Sequence, residues 1–379
     1  MDGLKGKTSP SRLRRTEQRG LRTELGRCRD SALIPQYSVL CSTLCALLFA
    51  RRLCVAAFLA LCSLLLAPCS SAWAQQTAKT FRIGFLDSST ASGSAVLVDA
   101  FRQELSKLAW IEEKNITIEF RFAEQRNERL PELAANLVRL EVDLIVTTDT
   151  PSVLAAKKAT TTIPIVMTNP GDPVGAGLVT SLAQPGGNVT GLSGLANELN
   201  TKRMEVLKDA VPKLSRVGLL RPGASIAQDL QLKELRPAAL ALNLKMEEIE
   251  TQPDAKGLEI AFQTAKQKQV GAIMTTAARS FFAERKRIVE LAAKYWLPAI
   301  YFQKEFVDEG GLMSYGADYA DLYRRAAVYV DKILKGMKPA DLPITQATKF
   351  EFIINLKTAK QIGVTIPPNV LARADRLIR

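Results

Sequence analysis

The sequence predicts an α/β protein made of two similar lobes, each a parallel sheet covered by helices. Three observations carry this expectation. From Thr80 onward, short apolar runs alternate with amphipathic stretches, the pattern of strands joined by crossover helices. The alternation occurs twice, in two series each of about 100 residues, a common size for one folding unit. No Pro/Ser-rich linker separates the series, so the lobes are expected to sit close and to share a cleft.

The elements follow in order. FRIGFL (81–86) reads as a strand. Leu97, Phe101, Leu105 and Leu108 recur at helical spacing. ITIEFRF (116–122) alternates like a strand, and LPELAANLVRL (130–140) is helical. DLIVTT (143–148), IPIVMTN (163–169) and NVTGLSG (188–194) complete the first set of strands. The second series has strands at RVGLLR (216–221), LKMEEIE (244–250), VGAIMTT (270–276) and LPAIYF (297–302). The tail from 303 to 379 is too short for a third domain. It holds a helix at 321–336, a strand candidate at 349–356 and a final helix, which can return to complete the first two sheets.

Composition narrows the chemistry. The 379 residues include no histidine, and the six cysteines all lie between Cys28 and Cys69. Later residues therefore hold no His/Cys zinc site, no His-dependent nucleophile and no disulfide framework. No cofactor and no metal is expected. The run LCVAAFLALCSLLLAP (53–68), after Arg51-Arg52 and before small residues at Ala72 and Ala74, reads as an export signal cleaved between Ala74 and Gln75. It is short for a spanning helix, so the mature chain is expected in the periplasm and not across the membrane. Residues 1–74 carry 11 Lys/Arg and 4 Asp/Glu, so the formal charge of +13 leaves 13 − 7 = +6 for the mature chain. That excess is too mild to indicate nucleic-acid binding.

Ligands of open α/β sheets bind beyond the carboxyl ends of the strands. The polar residues there are Ser88 and Ser89, Thr148, Thr150 and Ser152, and Asn169 and Asp172 in the first lobe. In the second they are Arg221, Thr276 and Arg279. Thr150-Pro151 reads as a helix start with Thr150 as N-cap, and a helix N-terminus suits a ligand carboxylate. Each residue also has a plainer reading: Thr150 or Asp172 as a cap, Arg221 or Arg279 as a surface charge.

Three segments go further. GDPVGAGLVTSLAQPGGNVTGLSG, LPAIYFQKEFVDEGGLMSYGADYADLYRRAAVYVDKILKGMKPADLPI and KFEFIINLKTAKQIGVTIPPNVLARADRLI resemble the bacterial ABC-transporter substrate-binding proteins of the tryptophan/tyrosine-binding type. The resemblance extends from about Phe81 to the C-terminus. It implies a type I periplasmic-binding-protein fold, with two Rossmann-like lobes hinge-linked by three crossovers. It implies lobe 1 at 75–195 and 304–338 and lobe 2 at 196–303 and 339–379, with the second crossing at Phe302-Gln303-Lys304 and the third at Lys338-Pro339-Ala340. It also implies a small-molecule solute in the cleft and ABC permease subunits as partners. Carried over, the amides near Thr150–Ser152 would take a carboxylate and Asp172 an ammonium. Ser88 and Ser89 would donate hydrogen bonds, and Thr276, Arg279 and Tyr315 would close the far side. Phe281, Phe302 and Tyr315 are the candidates for stacking on an aromatic ligand.

Two other functions fit parts of the sequence. A ligand-sensing regulator would need its DNA-binding head in the basic first 30 residues, which lack a helix-turn-helix pattern. An α/β enzyme would have to use Asp149 and Asp172 as its titratable pair, with Lys157 and Lys158 nearby.

Overall fold

From Ile83 to Leu86 the run 81–87 is apolar on both faces, and such a run is stable as a strand inside a sheet covered on both sides. The computed structural model describes residues 79–379; the expected export signal lies outside the described residues. This run forms β1 (Phe81–Asp87), buried from Ile83 onward. It is followed by α1 (Ala91–Lys107), β2 (Ile116–Phe122), α2 (Leu130–Arg139), β3 (Leu144–Thr147), α3 (Thr150–Ala159), β4 (Ile165–Met167) and β5 (Val189–Ser193). The second series runs α4 (Ala196–Ala210), β6 (Arg216–Arg221), α5 (Ile226–Ala241), β7 (Lys245–Glu250), α6 (Ala255–Gln267) and β8 (Ala272–Thr275). It continues through α7 (Arg279–Ala283), α8 (Arg285–Lys294), β9 (Ala299–Tyr301), α9 (Glu305–Asp308) and β10 (Met313–Ala317). The tail supplies α10 (Tyr319–Leu334), β11 (Thr345–Gln346), β12 (Phe350–Asn355), α11 (Leu356–Gln361), α12 (Pro368–Leu371) and β13 (Arg376–Ile378).

These strands form two sheets. The first has six strands in the order β11-β5-β4-β3-β1-β2, and the second seven in the order β13-β12-β10-β9-β8-β6-β7. The first is parallel throughout. The second departs from the all-parallel expectation at one pair, because β10 and β12 run antiparallel. Central strands such as β3 and β5 are fully buried. The edge strand β7 instead carries Lys245, Glu247, Glu248 and Glu250, the charged composition that discourages edge-to-edge association.

The chain passes three times between the sheets, and two passages differ from expectation. The second was expected at Phe302-Gln303-Lys304. Instead the chain turns through α9 and returns as β10, still in the second sheet between β9 and β12. A glycine makes this return possible: a Cβ on Gly316 would lie 2.0 Å from the Phe302 carbonyl oxygen. The passage follows at Asp318, which caps α10. The third was expected at Lys338-Pro339-Ala340, but that segment stays on the first sheet. There the Thr190 hydroxyl donates to the Leu342 carbonyl at 2.6 Å and β11 pairs with β5. Strand pairing thus assigns 313–317 to the second sheet and 345–346 to the first, moving both expected lobe boundaries. The expected final helix is the short α12, after which β13 joins the sheet edge beside β12.

Helix α10 packs on α1, and the Trp110 indole N–H donates to Asp331 beside them at 2.8 Å. One buried apolar cluster runs from Phe85, Leu97 and Phe101 through Tyr323 to Phe281, Phe282 and Phe306. The two halves therefore share core as well as chain crossings.

Candidate functional site

Parallel strands aim their carboxyl ends the same way, so the loops that follow them gather at one edge of each sheet. Here the two loop edges face each other across a cavity of about 270 Å³, a size suited to a small molecule. The first sheet contributes Ser88, Gln125, Asp149, Thr150, Asn169 and Asp172. The second contributes Pro222–Ser225, Gln228, Gln231, Ala277–Ser280 and Phe302, while Tyr319 stands on the second crossing.

Of the predicted residues, Ser88, Thr150, Asn169, Asp172 and Arg279 line this cavity. Asp172 also accepts the Gly175 N–H at 2.8 Å, so its turn-capping and cavity-facing readings coexist. The remaining six are not among the lining residues. Thr148 is buried with its hydroxyl donated to Asp87 at 3.0 Å. Ser152 completes a capping box with Asp149. Ser89 and Thr276 are fully buried. Arg221 pairs with Glu250 at 2.7 Å and Glu248 at 3.5 Å on the neighbouring strand. The Tyr315 ring packs edge-on against Phe352. Of the aromatic candidates, Phe302 reaches the cavity, whereas Phe281 is fully buried away from it.

The start of α3 also differs by one residue from expectation. Asp149, not Thr150, is the N-cap, accepting the Ser152 N–H at 3.1 Å while its own N–H donates to the Ser152 hydroxyl at 3.1 Å. Asp is a better N-cap than Thr, and this leaves Thr150 at the cavity wall. Burial raises the Asp149 pKa above the usual aspartate value; the donated Ser88 hydroxyl opposes that shift, and the nearby charge of Asp87 adds to it.

Asp87 itself shifts the other way. Burial alone would raise its pKa, but the Arg279 guanidinium and the hydrogen bonds around the carboxylate outweigh burial and lower it. Arg279 Nη2 reaches Asp87 Oδ2 at 3.0 Å, with side chains only 3% and 0% exposed.

Of the missed residues, Gln125 and Ser225 lie in the loops after β2 and β6, and others sit on helices. Gln231 on α5 holds the loop before α7, accepting the Ala277 N–H at 2.8 Å and donating to its carbonyl at 3.0 Å. Gln228, one turn earlier, lines the cavity, and its Oε1 has no hydrogen-bond partner among the described residues. Tyr319 opens α10, and the signal for it was Asp318, a capping residue placed three before Asp321. Behind the cavity, buried Arg203 joins α4 to β10 by donating to the Ala196 carbonyl at 3.2 Å, the Tyr315 carbonyl at 3.1 Å and Asn200. Burial brings its pKa down to about 10, which leaves it charged at neutral pH.

The cavity thus offers hydroxyl and amide hydrogen-bonding groups, carboxylates and the two rings of Phe302 and Tyr319. Among the described residues, no group of three or more His, Cys, Asp or Glu is placed to hold a metal ion. Lys157, considered with Asp149 and Asp172 as enzyme equipment, donates to the Gly177 and Leu178 carbonyls at 2.8 and 2.9 Å. It braces the turn that carries Asp172. No described helix is long and apolar enough to cross a membrane.

Comparison with known proteins agrees with this geometry. Residues 93–378 match the family described as ABC transporter substrate binding protein. The tyrosine-binding protein of Clostridioides difficile strain R20291 is 31% identical over 255 residues, covering 66% of this chain and 71% of that protein. Among solved structures, a conserved domain protein from Vibrio cholerae O1 biovar El Tor superposes with a TM-score of 0.73 at 27% identity. The ABC domain from Streptococcus pneumoniae in complex with L-Trp gives 0.71 at 26%. Each of these two covers 79% of this chain and 100% of its own.

Proposed function

This chain belongs to the family of ABC transporter substrate-binding proteins, and from that premise we propose that its cleft captures an amino acid, with aromatic ones favoured. The family places it outside the cytoplasm as a receptor for a small solute, serving the permease of an importer; its fold is that of the periplasmic binding proteins. The observation that carries the amino-acid reading is the composition of the cavity lining. Asp172, Thr150 and Asn169, on first-sheet loops, line it together with Phe302 and Tyr319.

Asp172 pairs with the ligand ammonium in this reading, the Thr150 hydroxyl and nearby polar groups take the carboxylate, and the rings flank the side chain. The names of the relatives above support it, one as a tyrosine-binding protein and one as a complex with L-Trp. Ligand binding shifts an open–closed equilibrium of the two lobes, and the closed form docks productively on the permease. Export through the 53–68 segment, with cleavage between Ala74 and Gln75, completes the reading and puts the receptor in the periplasm.

The test is calorimetric titration of the full chain with L-tyrosine, L-tryptophan, tyramine and 3-(4-hydroxyphenyl)propionate. Saturable one-site binding by the amino acids, with at least tenfold weaker binding of the compounds lacking carboxylate or ammonium, supports the proposal. Equal binding of all four, or binding only by sugars in a parallel panel, overturns it.

A further inference from the structure

We propose that Asp87 and Arg279 form a latch across the cleft, a buried ion pair between the two sheets that sets how readily the empty receptor opens. The inference rests on the two-lobed receptor reading but not on the identity of the solute.

Asp87 ends β1 in the first sheet, and Arg279 begins α7 beyond β8 in the second. Arg279 Nη2 donates to Asp87 Oδ2 at 3.0 Å and to the Ser94 hydroxyl oxygen at 2.8 Å. Ser94 in turn donates to Asp87 Oδ2 at 2.6 Å, Thr148 donates to Oδ1 at 3.0 Å and the Ser89 N–H donates to Oδ1 at 2.9 Å. First-sheet groups therefore fix the carboxylate before the arginine arrives from the opposite lobe.

The same seam continues on either side of the pair. A Cβ on Gly93 of α1 would lie 2.8 Å from Ala283 Cβ at the end of α7. The Gln125 amide donates to Glu284 at 3.3 Å. Phe281 and Phe282 of α7 share a buried cluster with Leu97 and Phe101 of α1. Parting the lobes along this line separates the ion pair and returns both charges to water.

That return is why the pair acts as a latch rather than a rivet. A buried pair offsets its own desolvation only while both partners are present, and removing one strands the other in an apolar seam. With Asp87 neutral, the closed form holds an uncompensated guanidinium and the open form does not, so the equilibrium moves toward opening. Asp87 and Arg279 are thus positioning residues: they act on capture through the closure of the lobes.

The experiment is hydrogen–deuterium exchange of the full chain without ligand, comparing wild type with Asp87→Asn, Ser94→Ala and the distant control Thr190→Val. Asp87→Asn is expected to speed amide exchange at least tenfold in peptides from α1 and α7, with β4 and β9 unchanged. Ser94→Ala keeps both charges and is expected to speed the seam at least threefold, so it decides the matter should Asp87→Asn fail to fold. Wild-type seam rates in Ser94→Ala, or a uniform rise across all peptides, overturn the proposal. A stopped-flow arm with L-tyrosine as probe adds a split that a merely structural role would not give. Asp87→Asn is expected to raise the dissociation rate at least tenfold with the association rate within threefold of wild type, and equal loss in both rates counts against the latch. If wild type binds no L-tyrosine, the amino-acid reading fails while the exchange arm still decides the latch.

Discussion

Gly191 is the position where substitution by the smallest side chain should do most damage. It lies in β5 with φ at +127°, a region open essentially to glycine, and an added Cβ would sit 2.2 Å from the Met167 carbonyl oxygen. Met167 is its partner on β4. Real Cβ contacts essentially never fall below 3.0 Å, so in Gly191→Ala strand β4 must retreat by about 0.8 Å, the difference of those distances. The unfavourable φ costs about 1–3 kcal/mol, and the overpacking adds about 1–3 kcal/mol. A loss of about 2–6 kcal/mol corresponds to a fall in Tm of about 4–12 °C, at about 2 °C per kcal/mol for a chain of this size. Differential scanning calorimetry of the full chain reads this directly. Gly187, which has nothing within 4 Å of an added Cβ and no positive φ, is the control and should shift by less than about 1 °C on Gly187→Ala. A Tm for Gly191→Ala within 1 °C of wild type would refute the argument from strand spacing. Because β4 leads directly into Asn169–Asp172, the same variant should also bind its solute more weakly.

Three further outcomes are expected. Asp149→Asn should leave Tm at pH 7 equal to or above wild type. The folded state raises this carboxyl's pKa, so it binds the proton more tightly than the unfolded chain, and the group's contribution to stability falls as pH rises from about 4 through the folded value. An amide removes that dependence, so the variant's Tm should change less than wild type between pH 4 and pH 7; a lower Tm at pH 7 would contradict the burial argument. Thr190→Val removes the hydroxyl bonded to the Leu342 carbonyl and leaves that carbonyl unpaired, at a cost of about 1–3 kcal/mol by urea denaturation. Asp172→Ala should weaken L-tyrosine binding about 10- to 100-fold through loss of a charge-assisted contact, measured by calorimetry, with Tm shifted by less than 3 °C.

Much of this architecture was legible in alternating apolar and amphipathic segments, because strands buried on both faces leave long apolar runs. Strand β10 was not, since Met313–Ala317 is short and lies between a Gly-Gly pair and a helix start. Its pairing with β12 is antiparallel and distant in sequence, a choice made by tertiary contact and not by local pattern. That omission misplaced the second crossing. The strand-end rule located the cavity correctly but not its individual side chains. Thr148 and Ser152 turned inward to satisfy Asp87 and the start of α3, while Gln228 and Tyr319 came from the first turns of helices. Arg221 could have been resolved from sequence. Parallel pairing of β6 with β7 sets it directly beside Glu250, which explains why its charge is spent at the sheet edge.

The order of strands has a consequence for how this protein comes into being. The first sheet ends on β11 and is covered by α10, and both follow five of the seven strands of the second sheet in the chain. No contiguous stretch contains a finished lobe. A polypeptide emerging N-terminus first cannot complete its first half until residue 346 has appeared, and by then much of its second half is present too. Contacts this distant in sequence make folding slow.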